Sequence, residues 1–149
     1  ELAELSQCDE KLPLALNIKA DGLAQEISEE LSRFPNLEVF FFDMAVPDMR
    51  AYFSTGLPVF TRMSEVELDP VWIEQSTGVW LDSFDSDWFD SNVILRILAS
   101  GKAVCLVSPE LHGRAHLPLW ESISELKDHP RLMICTDFPL EAKSYFRTE

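Results

Sequence analysis

Leu-Glu-Val-Phe-Phe-Phe-Asp-Met-Ala-Val-Pro-Asp-Met-Arg-Ala-Tyr-Phe-Ser-Thr-Gly-Leu-Pro-Val-Phe-Thr-Arg, residues 37–62, holds a strand, a helix and a second strand in one short stretch. Leu37–Asp43 is nearly continuous in apolar residues rather than alternating, as a parallel strand reads when both its faces are covered. Pro47 falls where a helix accepts proline, in its first turn, and Gly56 marks that helix's end. Leu57–Arg62 then resumes strand character.

Working outward, the same unit recurs. Leu14–Lys19, Gly78–Phe84, Lys102–Ser108 and Arg131–Asp137 are further short apolar runs, and the starts of the six runs lie 20 to 29 residues apart. Between them, Leu23, Ile27, Leu31 and Phe34 fall on one face of a helix. Pro70 opens a short helical candidate. Ser91 is placed to cap a helix carrying Val93, Ile94, Ile97 and Leu98 that stops at Gly101. Pro118 begins another, with Leu119, Ile123 and Leu126 inward, and Leu140–Phe146 makes a last one. Strand alternating with helix predicts an α/β fold with a mainly parallel sheet, either an open doubly wound sheet or a closed barrel. Only Gly22 follows the first run, and neither G-x-G-x-x-G nor a Walker A motif occurs, so a nucleotide cofactor is not expected.

The 149 residues suit one domain, and 46% hydrophobic residues can build a core. The net charge of −14 argues against nucleic acid and anionic membrane surfaces as partners. No apolar run approaches the roughly 20 residues a transmembrane helix needs, and no signal peptide is visible. Cys8, Cys105 and Cys135 form no C-x-x-C pair, and the last two lie in apolar runs, which points to a reduced, cytoplasmic compartment.

Aligned on their last apolar residues, the runs end in Lys19, Asp43, Arg62, Asp82, Ser108 and Asp137. Alternation would put Asn17 with Lys19, Phe41 with Asp43, Phe60 with Arg62, Trp80 with Asp82 and Cys135 with Asp137 on shared faces. In a parallel sheet these ends share one rim, the place where α/β folds bind ligands. Any single polar residue there can simply mark a strand end; six with mixed charge suit a ligand with phosphate and hydroxyl groups. After the fifth run, Pro-Glu-Leu-His-Gly-Arg adds Glu110, His112 and Arg114, which are either ligand contacts or ordinary surface residues. Asp85-Ser-Asp-Trp-Phe-Asp lacks the glycine and the final Glu of a calcium loop. Ala45 stands where a dehalogenase-type loop needs a second Asp. No zinc or serine-hydrolase motif occurs. His116 and His129 read as helix-start and turn residues, and Trp88 and Phe89 as corner packing.

The runs LALNIKADGL, VFFFDMAVPDMRAYFSTGLPVFTRMSEVE, GVWLDSF and LMICTDFP resemble the later strands of the glycerophosphodiester phosphodiesterase-like (phospholipase-C-like) superfamily of TIM barrels, in an uncharacterised bacterial branch. The resemblance runs from about Leu14 to Phe146 and rests most on LNIK and ICTDFP. It implies metal-assisted cleavage of a phosphodiester. Asn17-Ile18-Lys19 matches the family's Glu-x-Lys, so Lys19 carries over as a phosphate-binding or charge-stabilising residue. Asn17 stands in the place of a metal-binding Glu for Mg²⁺ or Ca²⁺, bringing an oxygen but no charge. On this reading Lys19, Asp43 and Asp82 form the catalytic set. Arg62, Glu65, His112, Arg114 and Asp137 form the phosphate- or substrate-binding set.

The family's first two strands, with their histidines, have no counterpart. At about 23 residues per unit, the chain is expected to supply six of eight βα units, inactive as it stands, with open strand edges that permit oligomerisation. The competing reading is a non-catalytic barrel that binds a sugar phosphate or another phosphorylated ligand. A blander one is a structural domain serving only in partner contact.

Overall fold

The structure, a computed structural model, describes residues 2–7 and 13–147. Its elements, in chain order, are α1 (Leu2–Leu5), β1 (Leu14–Asn17), α2 (Ala24–Leu31), β2 (Val39–Phe42), α3 (Val46–Thr55), β3 (Phe60–Met63), β4 (Gly78–Leu81), α4 (Ser91–Ala99), β5 (Ala103–Val107), α5 (Leu117–Ser122), β6 (Leu132–Cys135) and α6 (Pro139–Tyr145). A 3-10 turn, Pro109–His112, follows β5. All six apolar runs contain a strand. Cys8 and the turn expected just before Leu14 lie outside the described residues.

The fold is mixed α/β with parallel sheets. β1 pairs with β2 in parallel, Leu14 opposite Val39 through Asn17 opposite Phe42. A four-stranded sheet runs β3-β4-β5-β6, with parallel ladders between β4 and β5 and between β5 and β6. Strand order follows chain order in both sheets, as short right-handed β-α-β connections favour. No described helix is long and apolar enough to cross a membrane.

The chain divides into two compact units, residues 2–7, 13–61 and 71–77, and residues 62–70 and 78–147. In the first, Phe41, Tyr52, Val59, Met49 and Ile18 form the core, with Leu16 and Ile27 packed against it. In the second, the middle strands β4 and β5 are buried through Val79, Leu81, Val104 and Leu106, beside Ile94, Leu98 and Trp120. Trp120 is fully buried and donates its indole N–H to Ser108 Oγ at 2.9 Å. Ser108, expected on the ligand rim, is therefore a buried core anchor.

Three local expectations change. Pro70 does not open a helix: Trp72 takes φ +61°, and residues 70–76 fold into turns closed by Gln75 and Ser76 N–H to Trp72 C=O. Asp90, not Ser91, caps α4, its carboxylate accepting from Asn92 and Val93 N–H. β3 runs on through Met63, so Arg62 lies within the strand rather than at its carboxyl end. The α3 boundaries follow the sequence closely, with Pro47 in the first turn and Gly56 left-handed at φ +74°.

Candidate functional site

In the second unit, β4 is buried along its whole length and delivers Asp82 at its carboxyl end. Asp82 N–H donates to Met63 C=O at 2.9 Å, fixing the backbone there. The residue is only 6% exposed. Its Oδ1 accepts from Ser83 N–H at 2.8 Å and meets His112 Nε2 at 2.7 Å. A carboxylate only accepts, so Nε2 is the donor to Asp82; in the neutral ring this tautomer leaves the Nδ1 lone pair free. That Nδ1 has no hydrogen-bond partner among the described residues, and the side chain is 25% exposed. The 3-10 turn carries His112 to this point. Gly113 then reverses the chain at φ +71°, a conformation that favours glycine. The Phe84 ring meets the imidazole edge-on at 5.1 Å.

The cations nearby are held by the protein itself. Arg114 Nη1 donates to Ser83 C=O at 2.8 Å and Ser83 Oγ at 3.0 Å, and Nη2 pairs with Asp87. Arg62 Nε pairs with Glu67, and its guanidinium lies 5.9 Å from the Phe84 ring centre. Glu65, expected in the substrate set, spends both carboxylate oxygens on the backbone N–H groups of Phe84, Asp85 and Ser86. Trp88 closes the same turn by donating to Asp82 C=O at 2.7 Å.

The end of β6 is tied down by Glu110, whose Oε1 accepts from the Thr136 hydroxyl and from Asp137 N–H at 3.1 Å. The exposed Asp137 carboxylate has no hydrogen-bond or ion-pair partner among the described residues. Burial pushes the Cys135 thiol up, helped by the charges of Asp137, Glu110 and Asp82.

In the first unit, Lys19 Nζ pairs with Asp43 Oδ2 at 2.6 Å, with side chains 71% and 20% exposed. Strand alternation alone does not produce this pair. Phe41 belongs to the core cluster, and its ring lies 5.3 Å from Tyr52. Phe40 stacks on Phe60 at 4.2 Å and neighbours Phe42 at 6.2 Å, on the opposite face. Asn17, level with Phe42, shares that opposite face with Lys19. Asp43 reaches Lys19 because its φ of +66° breaks the pleat. The expected sharing of a face by Phe41 and Asp43 is corrected accordingly.

Asn17 is exposed at the end of β1. Among the described residues no three His, Cys, Asp or Glu side chains are grouped to hold a metal ion. Asp43 is engaged by Lys19 and Asp82 by His112. The Asp82–His112 pairing, the Glu65 clamp and the roles of Ser83 and Phe84 were not read from the sequence, because their partners lie 19 to 31 residues apart. No family model, no curated protein and no solved structure matches the chain.

Proposed function

We propose that this chain is a phosphoric diester hydrolase-like domain whose working centre is the Asp82–His112 pair, which replaces the expectation of an inactive chain because this pair does not call on the family's N-terminal histidines. The observation that carries the reading is the 2.7 Å contact between a buried strand-end carboxylate and an imidazole whose other nitrogen is open. Asp82 holds the tautomer and stabilises the imidazolium, and Nδ1 takes a proton from a water or hydroxyl attacking phosphorus. The P–O bond to the alcohol breaks, and the departing alkoxide is protonated from solvent. Arg62 and Arg114 supply positive charge to the phosphate by loosening their carboxylate pairs. Within the first unit, the family resemblance alone makes Lys19 a phosphate-binding residue, paired there with Asp43.

The same resemblance, and strand order without the reversal that marks a doubly wound sheet, support a TIM-type barrel supplying six of eight units. A cytoplasmic setting and a soluble phosphodiester ligand belong to the same proposal. A second reading, a non-catalytic barrel for a phosphorylated ligand, is favoured by Asn17 at the metal-Glu position.

Hydrolysis of bis-p-nitrophenyl phosphate, with and without Mg²⁺ or Ca²⁺, tests the proposal. Turnover that falls by about 100-fold or more in both Asp82→Asn and His112→Ala supports it. Binding without turnover under any metal condition selects the second reading, and neither binding nor turnover overturns both.

A further inference from the structure

We propose that Glu65 is a positioning residue for the Asp82–His112 pair: from the turn after β3 it clamps the backbone of residues 84–86 and so holds the Phe84 ring against His112. The inference rests on the reading of that pair as the working centre.

Glu65 Oε2 accepts from Phe84 N–H at 3.1 Å, and Oε1 accepts from Asp85 N–H at 2.6 Å and Ser86 N–H at 3.3 Å. Three successive amides on one carboxylate make a charge-assisted clamp, stronger than neutral hydrogen bonds would be. Burial works to raise the Glu65 pKa, yet the N–H groups of Asp85, Phe84 and Ser86 hold the carboxyl below its usual range. Its own backbone is fixed by the reciprocal Ser64–Glu67 bonds, 3.3 Å and 3.0 Å, beside the fully buried Ser64. The clamp therefore starts from a rigid point.

Among the described residues the imidazole has one hydrogen bond, to Asp82, and one ring neighbour, Phe84. A ring held by one bond can swing about it, and the edge-on Phe84 contact limits that swing. Phe84 is placed by its backbone, and Glu65 holds that backbone. The Glu65 oxygens are occupied by amides, which separates this role from the ligand contact expected from sequence.

NMR of the whole chain reads the inference without needing activity. The His112 Nε2 proton, held by Asp82, is expected as a resolved ring N–H signal, assigned by its loss in His112→Gln. Glu65→Ala should abolish that signal while the β5 amides keep their positions. Glu65→Gln retains an oxygen for two of the three amides and should keep at least half its intensity. Phe84→Ala leaves the clamp intact but should also lose the signal, so the inference stays testable if Glu65→Ala does not fold. A full-intensity signal in Glu65→Ala, with only the 84–86 amides shifted, would make Glu65 a loop anchor and overturn the proposal. So would a full-intensity signal in Phe84→Ala. Absence of the signal in the unmodified chain removes the pair itself, and with it the functional reading.

Discussion

Asp43 sits at φ +66°, where a residue other than glycine costs roughly 1–2 kcal/mol, and its ion pair with the largely exposed Lys19 returns at most about 1 kcal/mol. Asp43→Gly should therefore stay within about 1 kcal/mol of the parent in urea unfolding, whereas a β-branched Asp43→Val should lose about 2 kcal/mol or more. Equal losses would contradict the backbone account. Tyr52 poses the opposite case. It is fully buried, and its hydroxyl has no hydrogen-bond partner among the described residues. Tyr52→Phe removes an unsatisfied group at almost constant shape and should raise stability by about 1 kcal/mol; a loss of that size would disprove it. Glu110 links a residue to pH. Burial opposes its ionisation, but the Ser108 and Thr136 hydroxyls and the Glu110 and Asp137 N–H groups together hold its pKa below the usual value. A carboxyl depressed in the folded state contributes stability above its unfolded pKa and loses it as pH falls through the folded one. Unfolding free energies measured from neutral to acid pH should fall less steeply in Glu110→Gln than in the parent.

The elements were largely legible because parallel strands buried on two faces leave uninterrupted apolar runs. β5 is the clearest, with Val104 and Leu106 unexposed between two parallel neighbours. Leu106→Ala should cost about 3 kcal/mol by chemical denaturation, and a cost below about 1 kcal/mol would show that β5 is not central to the core. Misreadings came where neighbouring residues compete for one role. Asp90 and Ser91 can both cap α4, and the carboxylate won by reaching two amides. Val71-Trp72-Ile73 looks helical by composition, but Val71 C=O accepts the Thr61 hydroxyl at 2.7 Å and Trp72 turns left-handed. The site was legible as residue types and strand ends. Its pairings were not, because Asp82 and His112 meet only once β4 and β5 are neighbours and the 3-10 turn folds back.

At the scale of the whole molecule, each unit carries candidate chemistry near strand ends, Lys19–Asp43 in the first and Asp82–His112 in the second. Among the described residues β1 pairs only with β2 and β6 only with β5. Beside β6, a cleft of about 320 Å³ is lined by Leu132, Ile134, Ile123, Ala142 and Phe146. Free parallel edges of this kind favour self-association. Light scattering coupled to size-exclusion chromatography should show oligomers growing with concentration, and a strict monomer at high concentration would mean that these edges are protected. The central claim, that the second unit binds a phosphodiester at Asp82–His112, is tested most directly by titrating bis-p-nitrophenyl phosphate into the isotope-labelled chain. Saturable shifts are expected at the His112 ring and the 82–86 and 112–114 amides, abolished by His112→Ala. Shifts confined to other surfaces, or none at all, would contradict it.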